Sequence, residues 1–293
     1  MTTTAVHPGD PVPIEIADRR LGPRVPMKSN SPKQWIAASG MILRTEVGST
    51  VHGTAISGQD DVDEMGICVE PKNTTLGLNR FENYQYRSAE PDGQVGGQSA
   101  PSRPGDIDLF VYSLRKYVSL VAAGNPSMMV PLFVPDSALR YINVFGEELR
   151  ANRHKLLSQR AHPRFKGYLN KQRLGLLGER NTPNRAALRE KVGYDPKYAM
   201  HALRLGMQGC ELLERGTITI PLRGKQLKFL REVRSGQRED GQIWPLEFIL
   251  RQIERYDTKL DKSLETSTLP EEPDWGWINN WLADVHLRHW KEV

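Results

Sequence analysis

Asp61 and Asp63 are two carboxylates separated by one residue, and a Gly-Ser pair, Gly48-Ser49, precedes them by a short polar connection. Side chains alternate along a strand, so residues two apart share a face. Two carboxylates on one face suit a hard divalent cation, because Mg2+ takes oxygen ligands and is usually shared between one or two carboxylates and a substrate's phosphates. Glycine lets backbone come close to phosphate oxygens, and a serine hydroxyl can bond to one of them. A Gly-Ser pair is also an ordinary turn; the acids downstream are what attach chemistry to it. Asp60 falls on the opposite face of such a strand and reads as a solvated loop residue, while His52 is either a phosphate contact or a polar loop side chain.

Two further stretches carry chemistry. Ile107 to Tyr112 has strand composition with one acid, Asp108, in its middle, and a carboxylate there needs a reason because an unpaired buried charge is costly. Asp106 shares its parity and is the nearest competitor. From Pro196 to Arg215 the spacing is helical: Lys197, His201, Arg204 and Gln208 fall in one narrow stripe, with Met200, Leu203, Met207 and Cys210 beside it and weakly polar residues opposite. A helix so poor in charge is a buried one, so its polar stripe must meet either internal acids or a wet cavity. The cavity is the reading taken here, facing the acidic strands.

The ordered set resembles the DNA polymerase beta superfamily of nucleotidyltransferases. It consists of Gly48-Ser49, Asp61-x-Asp63 with Gly66 three positions on, Asp108 to Tyr117, the Gly124-Asn125-Pro126 turn, Phe165 to Tyr168 with Gln172, Lys197 to Arg204, and Leu269 to Asp274. Within that superfamily it is similar to the RlaP branch, which is associated with RNA repair. The resemblance implies two Mg2+ (or Mn2+) ions held by Asp61, Asp63 and Asp108, with Asp108 helping to activate the acceptor. It places Gly48 and Ser49 at the phosphates of an incoming NTP and shares the Lys-x-Ala-x-His-x-x-Arg run; in the cavity inferred for that stripe, Lys197 and Arg204 hold the triphosphate and His201 bonds to a phosphate or to the acceptor end. The implied reaction moves a nucleoside monophosphate from an NTP to a hydroxyl, an RNA 3′ end, with pyrophosphate leaving; RNA-repair proteins are the implied partners. Two alternatives stand beside it: an RNA- or nucleotide-binding protein on the same fold without turnover, and a nucleotidyltransferase that modifies a protein or a small molecule.

The elements that must position these residues follow from local pattern. The fold class expected is α+β: a small mixed-sheet catalytic domain over residues 32–135, then a mainly helical domain over 136–293, preceded by a proline-rich extended arm at 1–31. In the first domain a helix is expected over Lys33 to Gly40 and strands over Met41 to Val47, Asp61 to Val69 and Ile107 to Tyr112. Residues 70–106, rich in glycine and proline, read largely as loop, with Arg80 and Arg87 either phosphate contacts or, more simply, solvated. Ser113 to Ala123 reads as a helix closed by Gly124. In the second domain Thr217 to Leu222 alternates like a strand, Gln226 to Ser235 and Pro245 to Leu264 read as helices, and Trp277 and Trp281 lie one turn apart on a last helix that docks onto the body.

Charge and composition bound the partners. The 293 residues carry 40 Lys and Arg against 35 Asp and Glu, a net +5, with a pI near 9.1. The excess concentrates between Arg140 and Lys191, where thirteen basic residues stand against four acids, interleaved with Tyr141, Phe145, Phe165 and Tyr168. Such a surface can neutralise RNA phosphates and offer rings for stacking; it can equally be a solvated helical face with its aromatics turned inward. Two cysteines, Cys68 and Cys210, one in each expected domain, argue against a zinc cluster or a disulfide framework. No apolar run approaches the ~20 residues of a membrane span, and no basic-then-apolar leader opens the sequence, so a cytoplasmic protein is expected.

Overall fold

The computed structural model describes residues 31–56, 61–89, 105–179 and 186–292. The extended arm, Asp60 and the glycine- and proline-rich residues 90–104 lie outside those. The fold is α+β. A first helix, α1 (Pro32–Ser39), capped by the Ser31 hydroxyl, leads into β1 (Met41–Glu46), and a one-turn helix, α2 (Gly48–Val51), follows at once. Then come β2 (Val62–Cys68), the short α3 (Lys72–Thr75), β3 (Asn83–Arg87) and β4 (Ile107–Ser113). After α4 (Leu114–Ala122) and α5 (Pro126–Phe133), β5 (Leu139–Ile142) completes a five-stranded sheet of order β3-β4-β2-β1-β5. The sheet is mixed, with β2 and β4 parallel and the other pairs antiparallel.

Two of these elements depart from expectation. An edge strand, β3, lies inside the stretch read largely as loop; its alternation Asn-Tyr-Gln-Tyr-Arg has no aliphatic residue to announce it, and pairing to β4 makes it a strand. The sheet also takes β5 from beyond residue 135, through pairing with β1.

The remaining helices are α6 (Val144–Ala151), α7 (Ala161–Leu174), α8 (Ala186–Val192), α9 (Pro196–Arg215), α10 (Gly224–Ser235), α11 (Leu246–Glu265) and α12 (Trp275–Glu292). Thr217 to Leu222, expected as a strand, is irregular. Its Thr219 N–H and hydroxyl donate to the Glu211 carboxylate rather than to a neighbouring strand, and Pro221 has no N–H to offer. One continuous core joins the sheet to the helices, and a smaller cluster, including Met41, Cys68, Leu109 and Val111, packs under α1 on the other sheet face. Both cysteines are buried and unbridged.

Helix α9 is the axis of the helical half. Asp195 caps it, accepting from the N–H groups of Lys197 at 3.0 Å and Tyr198 at 3.4 Å. Its glycine face lets neighbours in: a Cβ at Gly206 would lie 2.5 Å from Tyr256 of α11, and one at Gly209 would lie 2.8 Å from Phe165 of α7. These close approaches seat the back of α9, and its polar stripe, on the opposite side, meets His52 just past α2. α12 straps the assembly: Trp277 and Trp281 stack with centroids 5.3 Å apart, and the Trp281 indole donates to Glu148 of α6 at 3.2 Å. Among the described residues no helix is long and apolar enough to cross a membrane.

Candidate active site

Strand register brings the acids together. β2 and β4 run parallel with Asp63 opposite Asp108, so their side chains sit next to each other on one face. Asp61, two residues before Asp63, shares that face. One carboxylate oxygen from each of Asp61, Asp63 and Asp108 lies within 4.8 Å of the others, and all three residues are partly exposed. The donors are carboxylate oxygens alone, without sulfur or imidazole, so the set fits a hard cation such as Mg2+ or Mn2+ better than zinc. Asp106 accepts from the Ser88 hydroxyl at 2.9 Å and belongs to the approach of β4 rather than to the trio.

The Gly-Ser turn presses against these acids. Gly48 has φ +71, and a Cβ there would overlap the Asp63 carboxylate, so only glycine combines this backbone with this contact. The Val47 N–H donates to the Asp63 carbonyl at 2.8 Å, tying the turn to β2. Ser49 is 9% exposed, at the start of α2.

The α9 stripe meets the far end of that turn. Arg204 Nη1 lies 2.7 Å from His52 Nε2 and donates to Gln208 Oε1 at 3.0 Å, while Nη2 stands 3.4 Å from His201 Nδ1. No carboxylate pairs with Arg204 among the described residues, and its buried Nε has no hydrogen-bond partner there. Burial lowers the Arg204 pKa to about 10. The internal ladder of acids that would make this stripe merely structural is therefore missing at Arg204. Lys197 stands apart from the cluster, at the first turn of α9, about 10 Å along the axis from Arg204.

His52 is held neutral. Burial pushes its pKa well below the usual value, and the charges of Arg204 and then His201 push it the same way. The unfolded chain, with histidine near the ordinary ~6.5, therefore binds more protons than the fold in the window below that value. This contribution to stability is complete above about pH 6.5 and is lost as pH falls toward the folded pKa, at up to about 1.4 kcal/mol per pH unit. Urea melts at descending pH should show His52→Gln with a shallower acid-side loss than wild type; equal slopes would mean that His52 gains protons as readily in the fold as in the unfolded chain.

Two features escaped the sequence reading, and a third decides between its two alternatives for the basic stretch. Arg87, read most simply as solvated, lies opposite Asp108 across β3 and β4, and its Nε donates to Asp108 Oδ1 at 3.1 Å. It offsets part of the charge of the clustered acids. Arg231 of α10 donates to the Gly53 carbonyl at 2.7 Å, beside a groove of about 800 Å3 lined by Thr54, Ala55, Leu227, Lys228 and Arg234. Part of the basic stretch 140–191 is neutralised by acids from elsewhere in the chain. Arg160 pairs with Glu272, Lys155 with Asp274, and Lys166 with Asp257 and Asp261. Its rings Tyr141, Phe145 and Phe165 are buried in the core, so they are not available for stacking on bases. Only the last of these features had a local signal, the inward spacing of the aromatics.

Three carboxylates on adjacent strands with a Gly-Ser turn against them fit a nucleotidyltransferase of the DNA polymerase beta kind. Residues 30–284 match the model of the RlaP family, described as the RNA repair pathway DNA polymerase beta family, and the chain belongs to that family. Among solved structures, a nucleotidyltransferase-like protein from Exiguobacterium sibiricum aligns at 9% identity over 87% of this chain and 77% of its own, with a TM-score of 0.27, too distant for any residue-level comparison. No curated protein matches the chain.

Proposed function

We propose that the protein transfers a nucleoside monophosphate from an NTP to the 3′ hydroxyl of an RNA and releases pyrophosphate. The observation that carries this reading is the convergence of Asp61, Asp63 and Asp108 beside Gly48, with the Arg204 guanidinium, which has no carboxylate partner among the described residues, facing the same turn. The family's description as part of an RNA repair pathway supports RNA as the acceptor. Asp61, Asp63 and Asp108 would hold two Mg2+ (or Mn2+) ions, which when bound supply Lewis-acid neutralisation of phosphate charge.

The chain's own residues do the rest. Gly48 brings backbone close to the phosphates, and Ser49 offers a hydroxyl from the same turn. Arg204, with His201 beside it and Lys197 farther along α9, supplies positive charge to the triphosphate, and the groove beside Thr54 gives the nucleotide room. The oxygen–phosphorus bond to the acceptor forms at the α-phosphorus as the bond to the β-phosphate bridge breaks. The electron pair leaves with pyrophosphate, and Asp108 takes up the hydroxyl proton. Purified protein incubated with each labelled NTP, Mg2+ or Mn2+, and RNAs ending in a 3′ hydroxyl or a 3′ phosphate should label only the hydroxyl-ended RNA and release pyrophosphate. An absence of labelled RNA across all NTPs and both ions would overturn the proposal.

A further inference from the structure

Beyond the acids, the same sheet face has a composition that nucleotide binding does not use. Along β4 the residues sharing the Asp108 face are Phe110 and Tyr112, each about 6.6 Å farther from the acids than the last. Opposite them on the edge strand β3 stand Gln85 and Asn83, both exposed. Moving away from the carboxylates, the face thus reads Arg87 with Asp108, Gln85 with Phe110, and Asn83 with Tyr112. The Phe110 and Tyr112 rings lie nearly parallel, with an interplanar angle of 21° and centroids 6.3 Å apart. Phe110 is 37% exposed, whereas most large apolar side chains of this sheet are buried. Among the described residues β3 is the last strand on this side; Tyr112 is half-buried against the main core, and Phe110 beyond it is the exposed end of the strip.

We propose that this strip is a single-strand platform, on which bases at the 3′ end of the acceptor RNA stack on Phe110, backed by Tyr112, with the Gln85 and Asn83 amides at their edges. Open sheet faces with exposed rings bind splayed, unpaired bases by stacking, and amide side chains have both donors and acceptors for base edges. The continuity of the strip with the carboxylate site is what selects nucleic acid over a protein partner: a strand lying on it ends at the acids. Tyr168 of α7 packs, like Tyr112, against the main core. One turn to either side of Tyr168 stand Arg164 and Lys171, neither paired with a carboxylate among the described residues.

The inference rests on the proposed transfer to RNA for its acceptor, but its test does not need turnover. Binding of a short fluorescent single-stranded RNA with a 3′ hydroxyl is read by anisotropy for wild type, Phe110→Ala, Phe110→Leu and Phe110→Trp. Loss of one stacked base should weaken binding about 5- to 150-fold in Phe110→Ala. Phe110→Leu should lose nearly as much, because it keeps an apolar contact with Tyr112 but has no π face, and Phe110→Trp should bind like wild type. DNA of the same sequence should lose affinity in parallel, since stacking reads rings rather than sugars. The rise in melting temperature on adding NTP with Mg2+ should be unchanged in all three variants. RNA affinity equal in wild type and Phe110→Ala, or full affinity in Phe110→Leu, would overturn the platform even where RNA is extended. RNA binding that depends on Phe110 in a protein that extends no RNA would instead overturn the transfer reading and leave the platform standing.

Discussion

Replacing Asp63 by asparagine is expected to lower nucleotide transfer by about 1,000-fold or more while leaving the fold at least as stable as wild type in metal-free buffer. Asparagine keeps the size that packs against Gly48 and removes the charge. The activity loss follows from the loss of a central oxygen ligand: metal-borne charge stabilisation is worth several kcal/mol in the transition state, and each 1.36 kcal/mol is tenfold in rate. The stability expectation has the opposite sign because three carboxylates whose oxygens lie within 4.8 Å of one another repel when no cation is present. Single-turnover transfer and thermal melts with and without Mg2+ read both effects. Transfer at the wild-type rate would remove Asp63 from the active site; a large drop in metal-free stability would make it a structural residue.

Arg204→Met is the second large effect. A partly buried guanidinium with no carboxylate partner among the described residues is costly to the empty protein, and that cost is offset when an anion arrives. Hydrogen bonds to a charged group contribute about 1.5–3 kcal/mol, so affinity for NTP with Mg2+ should fall about 10- to 100-fold. The unliganded variant should melt at or above the wild-type temperature, since methionine fills similar space without the charge. Calorimetric titration with NTP and a melt of the unliganded protein separate the two readouts. Unchanged nucleotide affinity together with a lower melting temperature would show that Arg204 serves His52 and Gln208 as an internal strut and nothing more.

Legibility in the sequence tracks how local each feature is. Helix α9 was readable to its ends, Pro196 and Arg215, because Asp195 caps it, Pro196 opens it and its period is unbroken. The parities of Asp61, Asp63 and Asp108 were readable for the same reason, since alternation along a strand needs no knowledge of its neighbours. The edge strand β3 was not, because a strand without aliphatic residues is made by its partner. Nor was the fate of the basic stretch, where Lys155 and Lys166 find acids about a hundred residues farther along the chain.

By itself the sequence determined the helices and the core strands that carry the acids, the faces on which the acids and the α9 stripe lie, and the family to which those residues point. Tertiary structure alone decided that Asp63 and Asp108 stand in register on parallel strands, that Arg87 leans on Asp108, that Arg204 meets His52 rather than an acid, and that Phe110 stays open beside the site. The division has one physical cause. Periodicity and capping are set by residues within a turn or two of each other, whereas register and charge pairing depend on which distant segments the core brings into contact.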